Sequence, residues 1–194
     1  MKATLRLALA LLPIAIPFAA AHADAPGNSS DRDAQNASWP PRRDAVPLVD
    51  KVRRATARFR NINVATSEGW VRGTPCVSGP NEGAMGVHFI EPQRIADGVV
   101  NGDAPEALIY EPMSNGAYRL VGVEFIVLAN AWATQNPGGG APSLDGHLMN
   151  YVGEPNRYGL PAFYELHVWA WERNPKGNFA DWNTVVSCDK EPAG

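Results

Sequence analysis

The chain has 194 residues, a length that suits one globular domain with a short leader. Its formal net charge is −3 at pH 7, from 17 basic and 20 acidic residues. Because the basic residues are scattered and the balance is mildly acidic, the charge excludes a function based on binding nucleic acid or an anionic membrane surface.

The first 23 residues are predicted to be a signal peptide. Residues 1–6 carry two basic side chains and no acid, and residues 7–20 form an apolar run too short to span a bilayer. Ala21-His22-Ala23 then supplies an A-x-A cleavage pattern. The mature protein is therefore predicted to be periplasmic or secreted. Since no other stretch is long and apolar, no membrane insertion is expected.

Residues 24–45 are predicted to be a flexible tether, and residues 46–190 a single β-rich domain. The tether is rich in Asn, Ser, Asp, Ala and Pro, and Trp39 is its one large apolar residue. A segment of this composition cannot bury enough apolar surface to order itself.

A helix is predicted at the start of the domain. Asp44 is placed to cap it, and the periodic pattern predicts that it ends near Glu68, before Gly69. The apolar residues recur at intervals of three or four, the spacing of one helical face. They are Leu48, Val49, Val52, Ala55, Phe59 and Ile62.

Short β-strands are predicted after the helix, because glycine and proline recur too often for long helices. The β-like runs are residues 86–90, 107–110, 118–128 and 164–171. Ser114-Asn115-Gly116 predicts a hairpin turn, and the glycine-rich residues 136–142 predict a mobile loop. The predicted fold class is α+β: an N-terminal helix followed by a compact, mainly antiparallel β barrel or sandwich with one disulfide.

The disulfide is predicted between Cys76 and Cys188, the two cysteines of the chain. Export gives them a reason to pair, since an oxidising compartment maintains disulfides. Two free thiols or a thiolate metal site are the alternatives, but two sulfurs without a C-x-x-C spacing are a poor match to a metal motif.

Local catalytic signatures are absent from the sequence. It contains no nucleophile elbow, no H-E-x-x-H, no phosphate loop, no dinucleotide fingerprint and no haem-attachment motif. This excludes several familiar enzyme classes and leaves open whether the protein is an enzyme.

Histidines and a strand carboxylate are the main candidates for chemistry. His88 and His167 lie in predicted strands among large apolar residues. Glu124 lies in a predicted strand that is apolar on both faces, and alternation places it on one face with Leu120 and Ile126. A buried carboxylate needs a cation, a hydrogen-bond network or a metal.

These three residues, joined by His147 from a glycine-rich loop, are the predicted ligands of one divalent transition metal: zinc, copper, iron or manganese. The competing interpretation is structural. In it the histidines bond to backbone and Glu124 pairs with Arg72 or Arg119.

Aromatic residues near the C-terminus provide a second functional hypothesis. They can line a cleft that binds a small molecule or glycan, or they can be core, which is the default for a small β domain. The set comprises Phe163, Tyr164, Trp169, Trp171, Phe179 and Trp182. A structural envelope protein without a ligand is the third hypothesis, and protein partners are not indicated.

Three motifs carry a resemblance to a known family. They are the runs GAMGVHF at residues 83–89, LVGVEF at 120–125, and LHVW at 166–169 with NPKG at 174–177. With them the chain resembles a family of secreted bacterial proteins of uncharacterised function. The resemblance covers about residues 48–188 and implies an exported single domain with no assigned activity. His88, Glu124 and His167 each fall inside one of these motifs.

Overall fold

The computed structural model describes residues 46–191. The predicted signal peptide, the tether and the Asp44 cap lie outside the described residues. No helix in residues 46–191 has the length and apolarity needed to cross a membrane.

The predicted N-terminal helix is present but divided into three pieces. Helix α1 covers Pro47–Thr56, a 3-10 turn covers Ala57–Arg60, and helix α2 covers Ile62–Ser67. The division falls at Asn61, whose backbone is extended and whose side chain accepts a hydrogen bond from the amide of Asn63. Asn61 therefore acts as an N-cap that starts a new helix, which a continuous apolar periodicity does not reveal.

The main element is a seven-stranded antiparallel sheet. Its spatial order is β1-β3-β4-β5-β9-β8, with β2 also paired to β3. A separate two-stranded sheet pairs β6 with β7. The strands are β1 Val71–Arg72, β2 Val77–Gly79, β3 Gly83–Ile90, β4 Ala107–Pro112, β5 Tyr118–Leu128, β6 Ser143–Leu144, β7 His147–Leu148, β8 Asn150–Val152 and β9 Phe163–Val168.

This architecture confirms the predicted α+β class and decides how the sheet is covered. The sheet is not closed into a barrel, since β8 pairs only with β9 at one end and β1 pairs only with β3 at the other. One face packs on the helical segment rather than on a second sheet, because Leu48, Val52 and Phe59 share a buried cluster with strand residues such as Val87 and Phe125. The short helices α3 (Pro92–Ile95) and α4 (Ala129–Gln135) complete the fold.

A bulge in β5 reverses the side-chain alternation near its start. The register with β4 shifts between Ile109 and Tyr110, so that Val121 is the extra residue on β5. As a result Leu120 packs in the helix-facing cluster, and Val121 packs on the opposite face with Ile109. The predicted shared face of Leu120 and Glu124 is therefore wrong, while that of Glu124 and Ile126 holds.

The hairpin and the disulfide are as predicted. Residues 113–117 connect β4 to β5, with Gly116 in the left-handed region at a φ of 75°. Cys76 and Cys188 are bonded, with their Cα atoms 5.6 Å apart, across 112 positions of chain. The bond fastens the C-terminal segment to the loop between β1 and β2.

Candidate metal centre

Strand register brings the predicted ligands onto one face of the sheet. Glu124 on β5 lies directly opposite His167 on β9. His88 is on β3, and β4 lies between it and β5, so the two side chains must meet across about 10 Å of sheet. The β4 residue opposite Glu124 is Ala107, whose methyl group is short enough to leave this space to His88 and Glu124.

The three side chains converge. Nε2 of His88 is 3.2 Å from Oε2 of Glu124, and one ligand atom from each of His88, Glu124 and His167 lies within 4.8 Å of the other two. Three atoms so placed have a common point no more than about 2.8 Å from each, against metal–ligand bonds of about 2.0–2.2 Å. Closure onto a metal therefore needs only a small inward movement.

His88 is oriented by Thr74. The Thr74 hydroxyl oxygen accepts the backbone N–H of His88 at 3.1 Å and lies 3.2 Å from its Nδ1. The hydroxyl can donate to an unprotonated Nδ1 or accept from a protonated one. Thr74 can therefore pair with either tautomer of a neutral His88, including the tautomer whose Nε2 lone pair is free for a metal.

Among residues 46–191, neither ring nitrogen of His167 has a partner with hydrogen-bond geometry, although the side chain is buried. Its Nδ1 is 2.9 Å from Oε2 of Glu165, close enough for a strong charge contact but not aligned with the ring N–H. Leaving a buried polar atom unsatisfied costs about 1–3 kcal/mol. An imidazole in this state, next to two other ligand groups, is the feature that most needs an explanation.

Burial sets the protonation of the cluster. It lowers the pKa of His88 to about 4 and raises the pKa of Glu124 well above its usual range, which the charge of His167 only partly opposes. Burial also acts to raise the pKa of Glu165, but the contact with His167 outweighs it and holds that pKa at about 2. Glu124 and Glu165 in turn outweigh burial and raise the pKa of His167. Burial thus favours the uncharged forms of His88 and Glu124, while the contact between His167 and Glu165 favours the charged forms of those two side chains.

A second group of three potential metal ligands also includes His167. It consists of Glu165, His167 and Asp181, again with one atom from each within 4.8 Å of the others. Asp181 is held less closely to the other two residues, because its side chain is about one-third exposed and its Oδ1 is 3.9 Å from Nδ1 of His167. Its Oδ1 also accepts a hydrogen bond from Asn150.

His147, the fourth predicted ligand, is not in either group. It lies on β7 in the small sheet, and its ring is 3.7 Å from that of Phe179, centroid to centroid. Its position in a glycine-rich stretch was compatible with a site, but stacking on Phe179 holds it elsewhere.

A cavity of about 550 Å³ opens onto His88 and Glu124. Its wall includes Thr74 and Cys76 from the disulfide loop. This volume is in the range of small-molecule sites. Side chains at the base of such a cavity can meet a ligand although little of their surface is exposed.

The competing structural interpretation had Glu124 pair with Arg72 or Arg119 and the histidines bond to backbone. Arg119 pairs with Glu111 and Glu172, and Arg72 pairs with Glu191, so neither arginine is the partner of Glu124. As for the histidines, Nε2 of His88 lies 3.2 Å from Oε2 of Glu124.

The tryptophans do not line this cavity. Trp169 is 1% exposed and donates to the carbonyl of Ala180, and Trp171 donates to Thr56 under the first helix. Trp182 packs near Gly79. The aromatic residues in the cavity wall are Tyr158 and Phe163, of which only Phe163 belonged to the predicted aromatic set.

Sequence reasoning missed Glu165, Asp181 and Thr74. For Glu165 a signal exists, because it is two positions before His167 on one strand and shares its face. Thr74 and Asp181 are in loops, and no periodicity places a loop side chain beside a strand.

Comparison of the chain with protein-family models, with curated proteins and with solved structures finds no match in any of the three.

Proposed function

We propose that this protein binds one divalent transition metal ion through His88, Glu124 and His167, at the base of the cavity. The observation that supports this most directly is the unpartnered imidazole of His167, whose ligand atom lies within 4.8 Å of those of His88 and Glu124. A metal would give one ring nitrogen of His167 a partner, and it would balance the charge of Glu124 once this side chain has released its proton.

The geometry favours this group over the one that includes Asp181. All three of its side chains are more than nine-tenths buried, and two of them line the cavity. Glu165 then has the role of the carboxylate that holds the other imidazole nitrogen of a metal-bound histidine. Such a partner fixes the ring and keeps its second nitrogen available for the metal.

Two imidazoles and one carboxylate form a donor set used by zinc, and also accepted by copper, iron and manganese. Three protein ligands leave coordination positions open toward the cavity, which is the arrangement of reactive rather than purely structural metal sites. A metal bound there would supply Lewis acidity to a water or small molecule in the cavity. We therefore propose a small metalloprotein with access for a ligand, acting in the oxidising compartment that the leader and the disulfide indicate.

The test is metal content of the purified chain without an affinity tag, by elemental mass spectrometry, before and after reconstitution with zinc, copper, iron or manganese. His88→Ala and His167→Ala are expected to lose a near-stoichiometric metal. His147→Ala is the matched histidine control, and Asp181→Asn tests the second group. Both are expected to retain the metal.

Circular dichroism and the denaturation midpoint establish that each variant is folded. Loss of metal in Asp181→Asn but not in His88→Ala would assign the ion to the second group and contradict the proposal. Absence of metal from the folded wild type after reconstitution with all four ions would refute it.

A further inference from the structure

The floor of the cavity carries both polar and apolar side chains. Ile90 and Ile126 follow His88 and Glu124 by two residues on the same strands and the same face. Because Ile90 and Glu124 both pair with Ala107, they lie level across β4, and Ile126 lies beyond them. Phe163 adds to the apolar side chains, of which Ile126 is 5% and Phe163 2% exposed. A molecule lying on this floor meets metal-ligating groups at its head and hydrocarbon along its body.

Tyr158 in the cavity wall has a hydroxyl group with spare capacity. Its one partner among the described residues is the thioether sulfur of Met85 at 3.5 Å, which is a weak acceptor. Burial, aided by the charge of Glu124, raises the pKa of Tyr158 to about 12. The phenol thus remains protonated at neutral pH and can donate to an acceptor in the cavity.

Arg157 lines the same cavity and is exposed at its rim. Within residues 46–191 it forms no ion pair with an acidic side chain, whereas Arg58, Arg72 and Arg119 all do. Glu124 is the one acidic residue among the described residues that line the cavity, and in the proposed function it is a metal ligand, so the cation of Arg157 favours a negatively charged ligand over a neutral or positive one.

We propose that the cavity binds a small apolar carboxylate, with its carboxylate group at the His88–Glu124 end and its hydrocarbon body over Ile90, Ile126 and Phe163. This inference rests on the proposed function, because the metal is one of the groups that receive the carboxylate. Tyr158 donates a hydrogen bond to the carboxylate, and Arg157 attracts it electrostatically from the rim.

The wall chemistry disfavours the other common classes of small ligand. A sugar needs many polar partners, and five of the side chains that line the cavity are apolar: Ile90, Ile95, Ile126, Leu160 and Phe163. A cation would be repelled by a bound metal and by Arg157. An apolar body with one anionic end matches both kinds of side chain.

The experiment is isothermal titration calorimetry of the full chain loaded with zinc. The probe is 4-phenylbutanoate, and the control is 4-phenylbutanamide, which has the same body without the charge. We expect the carboxylate to bind at least about 10-fold more tightly than the amide, and this preference to decrease when zinc is removed with a chelator, because only Tyr158 and Arg157 then act on the carboxylate.

Two variants test the two ends of the ligand. Tyr158→Phe is expected to weaken binding of the carboxylate probe by about 3- to 10-fold, because one hydrogen bond is lost. Leu160→Asn, in the half-buried part of the apolar wall, is expected to weaken both probes to a similar degree. Leu148→Asn is the matched control, since Leu148 is 66% exposed and is not among the cavity-lining residues.

The outcomes separate the two proposals. Zinc binding with no uptake of either probe, or with equal affinities for carboxylate and amide, would overturn the ligand proposal and leave the metal site intact. If Leu160→Asn binds both probes with unchanged affinity, the apolar body does not lie against this wall, and the ligand proposal is overturned as well. If the folded chain binds no zinc, the proposed function is refuted, and the metal-dependent carboxylate site is refuted with it.

Discussion

Glu106 is a buried carboxyl outside the metal-ligand group, and its replacement by glutamine has a measurable consequence. The side chain is 2% exposed, and its Oε2 accepts the backbone N–H of Ile126 at 2.9 Å. Burial is the main cause that raises the pKa of Glu106 from 4.5 to about 8. Asp97 adds to this increase, while the Ile126 bond and the charge of Arg94 oppose it.

The direction of the pH dependence follows from the protons bound in each state. Between pH 4.5 and about 8 the folded chain holds a proton on Glu106 that the unfolded chain has released. The free energy of unfolding therefore falls as the pH rises through this range. At about 1.4 kcal/mol per pKa unit, the loss between about pH 5 and pH 7.5 is about 3 kcal/mol.

Urea denaturation at the two pH values measures this loss. Glu106→Gln keeps the shape and an oxygen acceptor for Ile126 but cannot ionise, so its stability should fall by about 3 kcal/mol less than that of the wild type. Glu82→Gln is the control, since Glu82 is exposed and pairs with Lys176 at the surface. Parallel pH profiles for wild type and Glu106→Gln would refute a protonated Glu106 in the folded state.

Three further predictions concern the metal site, the disulfide and the core. Glu165→Gln should weaken zinc binding by about 10- to 100-fold in a chelator competition assay, because it removes the charge that orients the histidine ligand; unchanged affinity would exclude that role. Replacing Cys76 and Cys188 by alanine should lower the free energy of unfolding by up to about 4–5 kcal/mol, given the 112-position loop, and a loss below about 1 kcal/mol would contradict the chain-entropy account. Tyr110→Phe should cost about 1–3 kcal/mol in urea denaturation, because it removes the buried hydrogen bond at 2.7 Å to the carbonyl of Phe59, and a neutral effect would indicate that another donor replaces it.

Local periodicity predicted the regular elements well where one pattern dominates. Strand β5 has the predicted bounds, Tyr118–Leu128, because a long apolar and β-branched run follows the turn at Ser114-Asn115-Gly116. Strand β9 ends at Val168 instead of continuing to residue 171. The carbonyl of the bulged residue Val121 there accepts the amides of Trp171 and Glu172, and such a tertiary contact leaves no local trace.

The candidate ligands His88, Glu124 and His167 could be selected from the sequence for a physical reason. A charged or titratable side chain in an apolar strand is costly unless it has a partner, so its presence is informative. The same reasoning did not extend to His147, because a glycine-rich stretch tolerates any polar residue and gives no information about its neighbours.

The sequence by itself determined the α+β class, the positions of the four longest strands, the disulfide and the three polar residues that need an explanation, since each depends on local composition or on a short list of possible partners. Only the tertiary structure decided that the sheet stays open and that Ala107 leaves the space in which His88 reaches Glu124. These features depend on strand order and register, which are fixed by packing between segments distant in the chain.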